Sequence, residues 1–224
     1  MGKMTLSQMV AQLAGGMGTS IQIFVVTLVF SLPLGLIVAF GRMTKNGFLR
    51  NLVKVYISIM RGTPLMLQLM VVYFGPYYLF GIRVGSGYRL WATFIGFVIN
   101  YAAYFAEIYR SGIQSMPQGQ YEAAYILGYS RFQTFFKIIL PLSLSGVFSG
   151  IIMVFVPALT SFVISDLLGG GKVLLIGNVI EQEFMQGSNW NLGSGLSVVL
   201  MIFVIASMAV MNIFDKDQGG TAVW

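Results

Sequence analysis

Long apolar windows with few or no charges recur along this chain at the length needed to cross a bilayer as helix, about 20 residues each. The first runs from about Gly16 to Gly41, and Arg42, Lys45, Arg50 and Lys54 follow at once. The second runs from about Val55 to Phe80, the third from Leu90 to Tyr109, the fourth from Leu140 to Ser165 and the fifth from Leu192 to Phe214. The pattern predicts an all-α integral membrane protein with five transmembrane helices, a single domain filling residues 1–224. Residues 1–15 lack the basic cluster and cleavage site of a signal peptide and read as an amphipathic lead-in to the first span. Residues 166–191, between the last two windows, are too polar to cross lipid unprotected, and their centre predicts a short amphipathic helix on the outer membrane surface.

Pro64 and Pro157 punctuate the second and fourth windows. Arg61-Gly62-Thr63-Pro64 opens the second. In one reading Thr63 caps a helix, Pro64 takes its first-turn position and Arg61 snorkels to phosphates; in the other the tetrapeptide bends the chain beside a translocation path. Pro157 lies mid-window in the fourth and frees a carbonyl near Met153, while Gly146 and Gly150 let a neighbour approach closely. A simple kink and a cavity-lining break both fit that pattern.

Composition confirms the solvent. The 224 residues are 57% hydrophobic and only 9% charged, with a mean hydropathy of +0.82. The chain has no Cys and no His, which excludes disulfide and thiolate chemistry and removes the commonest metal ligand and general base. A membrane enzyme is therefore poorly supported, and no metal site is expected. A net charge of +6 would point to nucleic acid in a soluble protein, but here the cations sort by membrane side. With the N-terminus outside, the inner segments hold Arg42, Lys45, Arg50, Lys54, Arg61, Arg110, Arg131, Lys137 and Lys216, against Lys3, Arg83, Arg89 and Lys172 outside. A multi-pass protein of a bacterial cell membrane, N-terminus out and C-terminus cytoplasmic, with no nucleic-acid partner, is the expectation.

One inner loop, about 111–140, has helical order. Tyr121, Ala124, Tyr125 and Leu127 are read as one helical face, Gly128 as its end, and Phe132, Phe135 and Phe136 as part of a second helix climbing back to the bilayer. Glu122-Ala123-Ala124, then Gly128 after three intervening residues, then Ile138, Leu140 and Pro141 after nine more, match at every position the EAA pattern of binding-protein-dependent ABC importer permeases. The chain resembles that family, which implies the type I permease fold and a loop seated as a coupling helix in a groove of a cytoplasmic ATPase subunit. The resemblance further implies two ATPase subunits holding ATP and Mg, a second permease chain that is a copy or a homologue, and an extracellular solute-binding protein. The chain itself has no GxxxxGK[ST] phosphate loop, and no cofactor is expected in it. A secondary carrier would call for an inverted repeat, and none is evident.

Two branches of the family are mixed. "RGTPLMLQLMVVYFG" and "NYAAYFAEIYRSGIQSMPQGQYEAA" resemble the polar amino-acid permeases, over roughly residues 17–141. "FVPALTSFVISDLLGGGKVLLIGNVIEQEF" resembles the polyamine permeases instead. Many amino-acid permeases carry an acid thirteen positions after the loop proline, where this chain has Val154.

Polar residues within apolar spans face the bundle interior, as helix glue or as a solute path. Asn100, Tyr101, Tyr104, Gln68, Thr93, Ser149, Thr160 and Ser161 are the candidates, with Asn100, Tyr104, Thr160 and Ser161 selected for the path. Glu107 and Arg110 share a face and read as a structural ion pair. No carboxylate falls at mid-span, which favours a solute of little net charge, an amino acid, over a polyamine.

Overall fold

The computed structural model describes residues 6–143 except 86, single helical positions 147, 150, 151, 154 and 157, and residues 176–185, 187 and 190–219. Every described element is a helix: α1 (Leu6–Met43), α2 (Gly47–Gly62), α3 (Leu65–Phe80), α4 (Tyr88–Gln114), α5 (Gln118–Ile126), α6 (Arg131–Thr134), a π-helical turn (Phe135–Ile139), α7 (Leu140–Ser143), α8 (Ile176–Met185) and α9 (Trp190–Gly219). Three of them, α1, α4 and α9, carry segments long and apolar enough to cross a membrane alone, at Met17–Met43, Tyr88–Gln114 and Trp190–Ala209. These match the first, third and fifth windows. The fourth window lies mostly outside the described residues.

The α4 helix is the axis of the bundle. It is the most buried span, and its small residues Ala102, Ala103 and Ala106 are fully enclosed. The α1 helix buries a stripe of small residues, Ser20, Thr27, Ser31, Gly35 and Ala39, and Gly35 lies against Ala102 and Ala106. Close approach of two backbones is how helices gain packing energy where lipid supplies no hydrophobic drive. At Gly35 the approach is closest: a methyl group there would lie 2.7 Å from Phe105 Cβ and 3.1 Å from the Ala102 carbonyl. On another side, α3 runs antiparallel to α4. Leu69 fills the space over Gly96, the Tyr88 hydroxyl donates to the Val72 carbonyl at 3.1 Å, and Arg89 Nε donates to the Tyr73 hydroxyl at 3.3 Å. The returning chain after the loop packs with Ser143 on Gly112 and Gly150 on Ile108 and Phe105. Val154 is fully buried.

The second window is corrected. It holds two helices rather than one, and α2 and α3 meet at 110°. A residue before proline is pushed out of the α region, and Thr63 has φ −117° and ψ 146°. Thr63 thus ends α2, with its N–H and hydroxyl both donating to the Ile59 carbonyl at 3.1 and 2.7 Å. Pro64 precedes α3 as its cap and does not occupy its first turn. Of the two readings of this tetrapeptide, the bend is the one the backbone adopts.

In the segment read as outer, the described helix α8 packs along α9. The Phe184 ring stacks edge-on to Trp190 at 5.4 Å and packs on Gly193, while Gly177 and Ile180 share a groove with Ser197, Leu200, Met201, Val204 and Ile205. Going from Phe184 back to Gly177, α8 therefore runs along α9 from Trp190 toward Ile205. Gly193 makes this possible, since a side chain there would meet the Phe184 ring at 3.0 Å.

Candidate functional site

The loop between α4 and α7 folds into a small capped knob. Helix α5 ends where Gly128 adopts φ +75°, a left-handed conformation that favours glycine. The Tyr129 N–H donates back to the Ala124 carbonyl and the Gly128 N–H to the Tyr125 carbonyl, both at 3.0 Å, closing a Schellman motif. Two residues later Ser130 starts α6 with a capping box: its hydroxyl accepts from Gln133 N–H at 3.3 Å, and Gln133 Oε1 accepts from Ser130 N–H at 2.9 Å. A stop and a start are thus packed into three residues. The π-helical turn Phe135–Ile139 follows and sets the Phe135 ring 5.2 Å from Phe40 of α1, tying the knob to the first span.

The knob sorts the motif residues by exposure. Glu122 and Ala123 of α5 face outward, Ala124 is fully buried, Leu140 packs against the core and Pro141 is exposed. The single face read from the sequence is corrected here. Successive helical positions point 100° apart, so Ala124 turns in while Tyr125 and Ile126 are each 82% exposed, and Leu127 leaves the helix as its cap. The outward apolar set is Tyr125, Ile126, Leu127 and Phe132. It is large for a surface facing water, and of the kind that marks an interaction site.

The residues selected for a solute path fall in different places. Asn100 is 4% exposed, one turn from Gly96 on the face of α4 that meets α3. Tyr104 is half-buried beneath the Arg61 guanidinium, which sits 5.3 Å from the ring centre. Arg61 is therefore engaged with an aromatic face, a cation–π contact. Thr160 and Ser161, like Ser149, lie outside the described residues. Gln68 braces the bend: its Nε2 is within 2.8–3.1 Å of the Thr63 hydroxyl, the Met60 carbonyl and the Thr63 carbonyl. Thr93 donates to the Arg89 carbonyl of its own helix at 3.1 Å, and Tyr101 is buried. At the loop end of α4, Glu107 accepts from Arg110 at 2.6 and 3.0 Å and lies 3.8 Å from Arg42, pinning the last turn of α1 to α4. No group of three potential metal ligands occurs among the described residues.

Sequence reading passed over the α1 stripe. Ser20, Thr27 and Ser31 are fully buried, and their hydroxyls have no partner among the described residues. The signal was the recurrence of small residues on one face of the first window. Tyr56 was missed too; its hydroxyl donates to the Ile99 carbonyl and fixes α2 across α4.

A family model described as the inner membrane component of binding-protein-dependent transport systems matches residues 31–217. The chain belongs to this family. It is 32% identical over 159 residues to the Rickettsia felis permease named for a glutamine transport system, GlnP, covering 71% of this chain and 72% of that one. It is 43% identical over 129 residues to Bacillus subtilis YckA, named for an amino-acid ABC transporter permease, covering 58% of this chain and 55% of the relative. A spermidine/putrescine transport system permease, PotB of Haemophilus influenzae, is 41% identical over 113 residues, covering 50% of this chain and 40% of PotB. The chain thus matches 55% of the length of YckA and 40% of that of PotB. Among solved structures, an amino acid ABC transporter crystallised with histidines superposes with a TM-score of 0.77 at 22% identity, covering 97% of this chain and all of that one. The inward-facing MetNI methionine ABC transporter superposes with a TM-score of 0.72 at 19% identity, covering 96% of this chain and 99% of that one. This permease family's type I importer fold is the fold of the chain.

Proposed function

We propose that the chain is the transmembrane permease subunit of an ATP-driven importer of amino acids, moving solute by alternating access. The amino-acid reading rests on the glutamine-permease relative, which spans about seven-tenths of both chains. The chain pairs with a second permease, a copy or a homologue, receives solute from an extracellular binding protein, and works with a dimer of ATPase subunits that hold the ATP and Mg. Glu122, Ala123, Ala124, Gly128, Leu140 and Pro141 form the ATPase-coupling element, and the outward set Tyr125, Ile126 and Leu127 supports this reading as a surface fit for a groove. Asn100, Tyr104, Thr160 and Ser161 form the solute path. The N-terminus faces out and the C-terminus the cytoplasm, in accord with the concentration of Lys and Arg on the loop side.

A second reading, a polyamine importer, draws on the PotB similarity and on the position of α8, which carries Glu181 and Glu183 beside the last span. A polyamine bears several positive charges, each costly at membrane depth without carboxylates. No Asp or Glu precedes Glu107, which is held by Arg110 and Arg42 at the loop end. The amino-acid reading is therefore preferred. Uptake by the complete transporter in proteoliposomes separates the two: glutamine import that falls at least tenfold in Asn100→Leu is the expected result. Spermidine or putrescine import without amino-acid import overturns the substrate, and wild-type uptake by Asn100→Leu overturns the path.

A further inference from the structure

Helix α2 is divided lengthwise into three flanks. Arg50, Lys54, Ser58 and Arg61, spaced four, four and three residues apart, form one exposed polar stripe. Phe48, Leu52, Val55 and Ile59 form a second flank, apolar and also exposed. Val53, Tyr56, Ile57 and Met60 form the third, packed on the core around α1 and α4. The helix starts at Asn46, whose Oδ1 accepts from the Phe48 and Leu49 N–H groups at 3.0 and 3.4 Å. It then runs steeply across the bundle, because α3 lies antiparallel to α4 and α2 meets α3 at 110°. Val53 packs over Gly41 in the last turn of α1, which sets the Arg50–Lys54 half of α2 at the loop end of the bundle with Arg42 and Glu107, while Tyr56 and Arg61 reach Ile99 and Tyr104 toward the middle of α4.

Among the described residues, no carboxylate pairs with the cations of the stripe. The first 106 residues contain neither Asp nor Glu, and Glu107 is engaged by Arg110 and Arg42. A water-facing protein surface would explain the stripe but not the bare apolar flank beside it. Hydrocarbon would explain the flank but not the stripe. The boundary between headgroups and acyl chains offers both to one helix lying across the spans.

We propose that α2 is a lipid-binding helix that holds the phosphates of anionic phospholipids on its Arg50–Lys54 stripe, in the leaflet on the coupling-loop side. The inference rests on the membrane placement of the chain and not on its solute or its ATPase. Because α2 continues through the bend into α3, which packs on Gly96 one turn from Asn100, a headgroup held there anchors the bend that borders the proposed path.

The test uses the purified full-length permease equilibrated with vesicles of phosphatidylcholine, with and without phosphatidylglycerol, and the lipid retained per permease is measured by mass spectrometry. Each cation near an anionic surface contributes about 1 kcal/mol. The double variant Arg50→Gln with Lys54→Gln should therefore retain roughly thirtyfold less phosphatidylglycerol, with phosphatidylcholine unchanged. Arg50→Lys with Lys54→Arg should retain the wild-type amount, as should Arg131→Gln in the loop. Wild-type protein that does not prefer phosphatidylglycerol to phosphatidylcholine overturns the proposal, and that arm needs no variant. So does equal loss in Arg131→Gln, or displacement of the lipid by millimolar inorganic phosphate, which would make the stripe a free-anion site. Loss of ATPase association in the double variant with lipid retention intact would assign the stripe to protein docking instead.

Discussion

The Nε2 of Gln68 donates to the Met60 carbonyl at 2.9 Å, reaching from the first turn of α3 back to the last turn of α2. The same nitrogen lies 2.8 Å from the Thr63 hydroxyl and 3.1 Å from the Thr63 carbonyl, so one side chain serves the carbonyls that the bend leaves without helical partners. Replacing it by an apolar residue leaves those buried acceptors bare, at about 1–3 kcal/mol. Gln68→Leu should lower the thermal unfolding temperature of the purified permease, while Thr19→Val, whose hydroxyl bonds only within its exposed turn, should not. Equal melting of Gln68→Leu and wild type would contradict the bracing role.

At the centre of the bundle the critical dimension is the distance between α1 and α4. A methyl group at Gly35 would meet Phe105 Cβ at 2.7 Å and backbone atoms of Ala102 and Ala106 at 3.1 and 3.3 Å, none of which can swing aside. Gly35→Ala should destabilise the permease by about 1–3 kcal/mol, the usual range for overpacking. Gly119→Ala, with nothing within 4 Å of the added methyl, should be neutral or slightly stabilising in the same melt. Indistinguishable melts for the two variants would mean that the α1–α4 contact is looser than described.

The spans were legible because the length of hydrocarbon is a one-dimensional constraint that composition alone satisfies. The bend at Thr63-Pro64 was legible as one of two options. Its angle was not, since that depends on Gln68 and Tyr56 finding partners on other turns and other helices. The packing of α8 along the last span was hidden by its polarity: Gly193 gives Phe184 room, and a missing side chain leaves no mark on a hydropathy profile. In the loop, the end of the first helix could be read from Gly128. Which residues turned outward could not, because the inward direction is set by the returning chain against which Ala124 packs. Ser20, Thr27 and Ser31 were passed over because hydroxyls in a first window resemble ordinary apolar punctuation until their burial is seen.

The knob's two caps should be separable from its surface. Ser130→Ala removes the hydroxyl that accepts from Gln133 N–H and should cost about 1 kcal/mol locally. Amide hydrogen exchange across residues 131–139 should accelerate several-fold, with the exchange of α4 unchanged. Uniform exchange across both segments in Ser130→Ala and wild type would show that the capping box does not hold the second helix of the loop.

Sidedness is open to direct labelling because the chain has no cysteine of its own. Lys45→Cys and Ser130→Cys, both at exposed positions, should react with impermeant maleimide only from the cytoplasmic side. Arg83→Cys, exposed beyond the end of α3, should react only from outside. Reversed labelling would place the knob where no ATPase can reach it.

Coupling through the knob is the central claim, and Gly128 is the wrong place to test it, since its positive φ makes any substitution a folding change as well. Glu122 and Ile126 are better, because both side chains face outward from α5 and neither holds another element in place. The decisive measurement is ATP hydrolysis by the complete reconstituted transporter with solute-loaded binding protein, comparing wild type with Glu122→Lys plus Ile126→Asp. At least a tenfold loss of solute-stimulated hydrolysis is predicted, with the permease inserted and melting as wild type. Undiminished stimulation in that double variant would contradict the account.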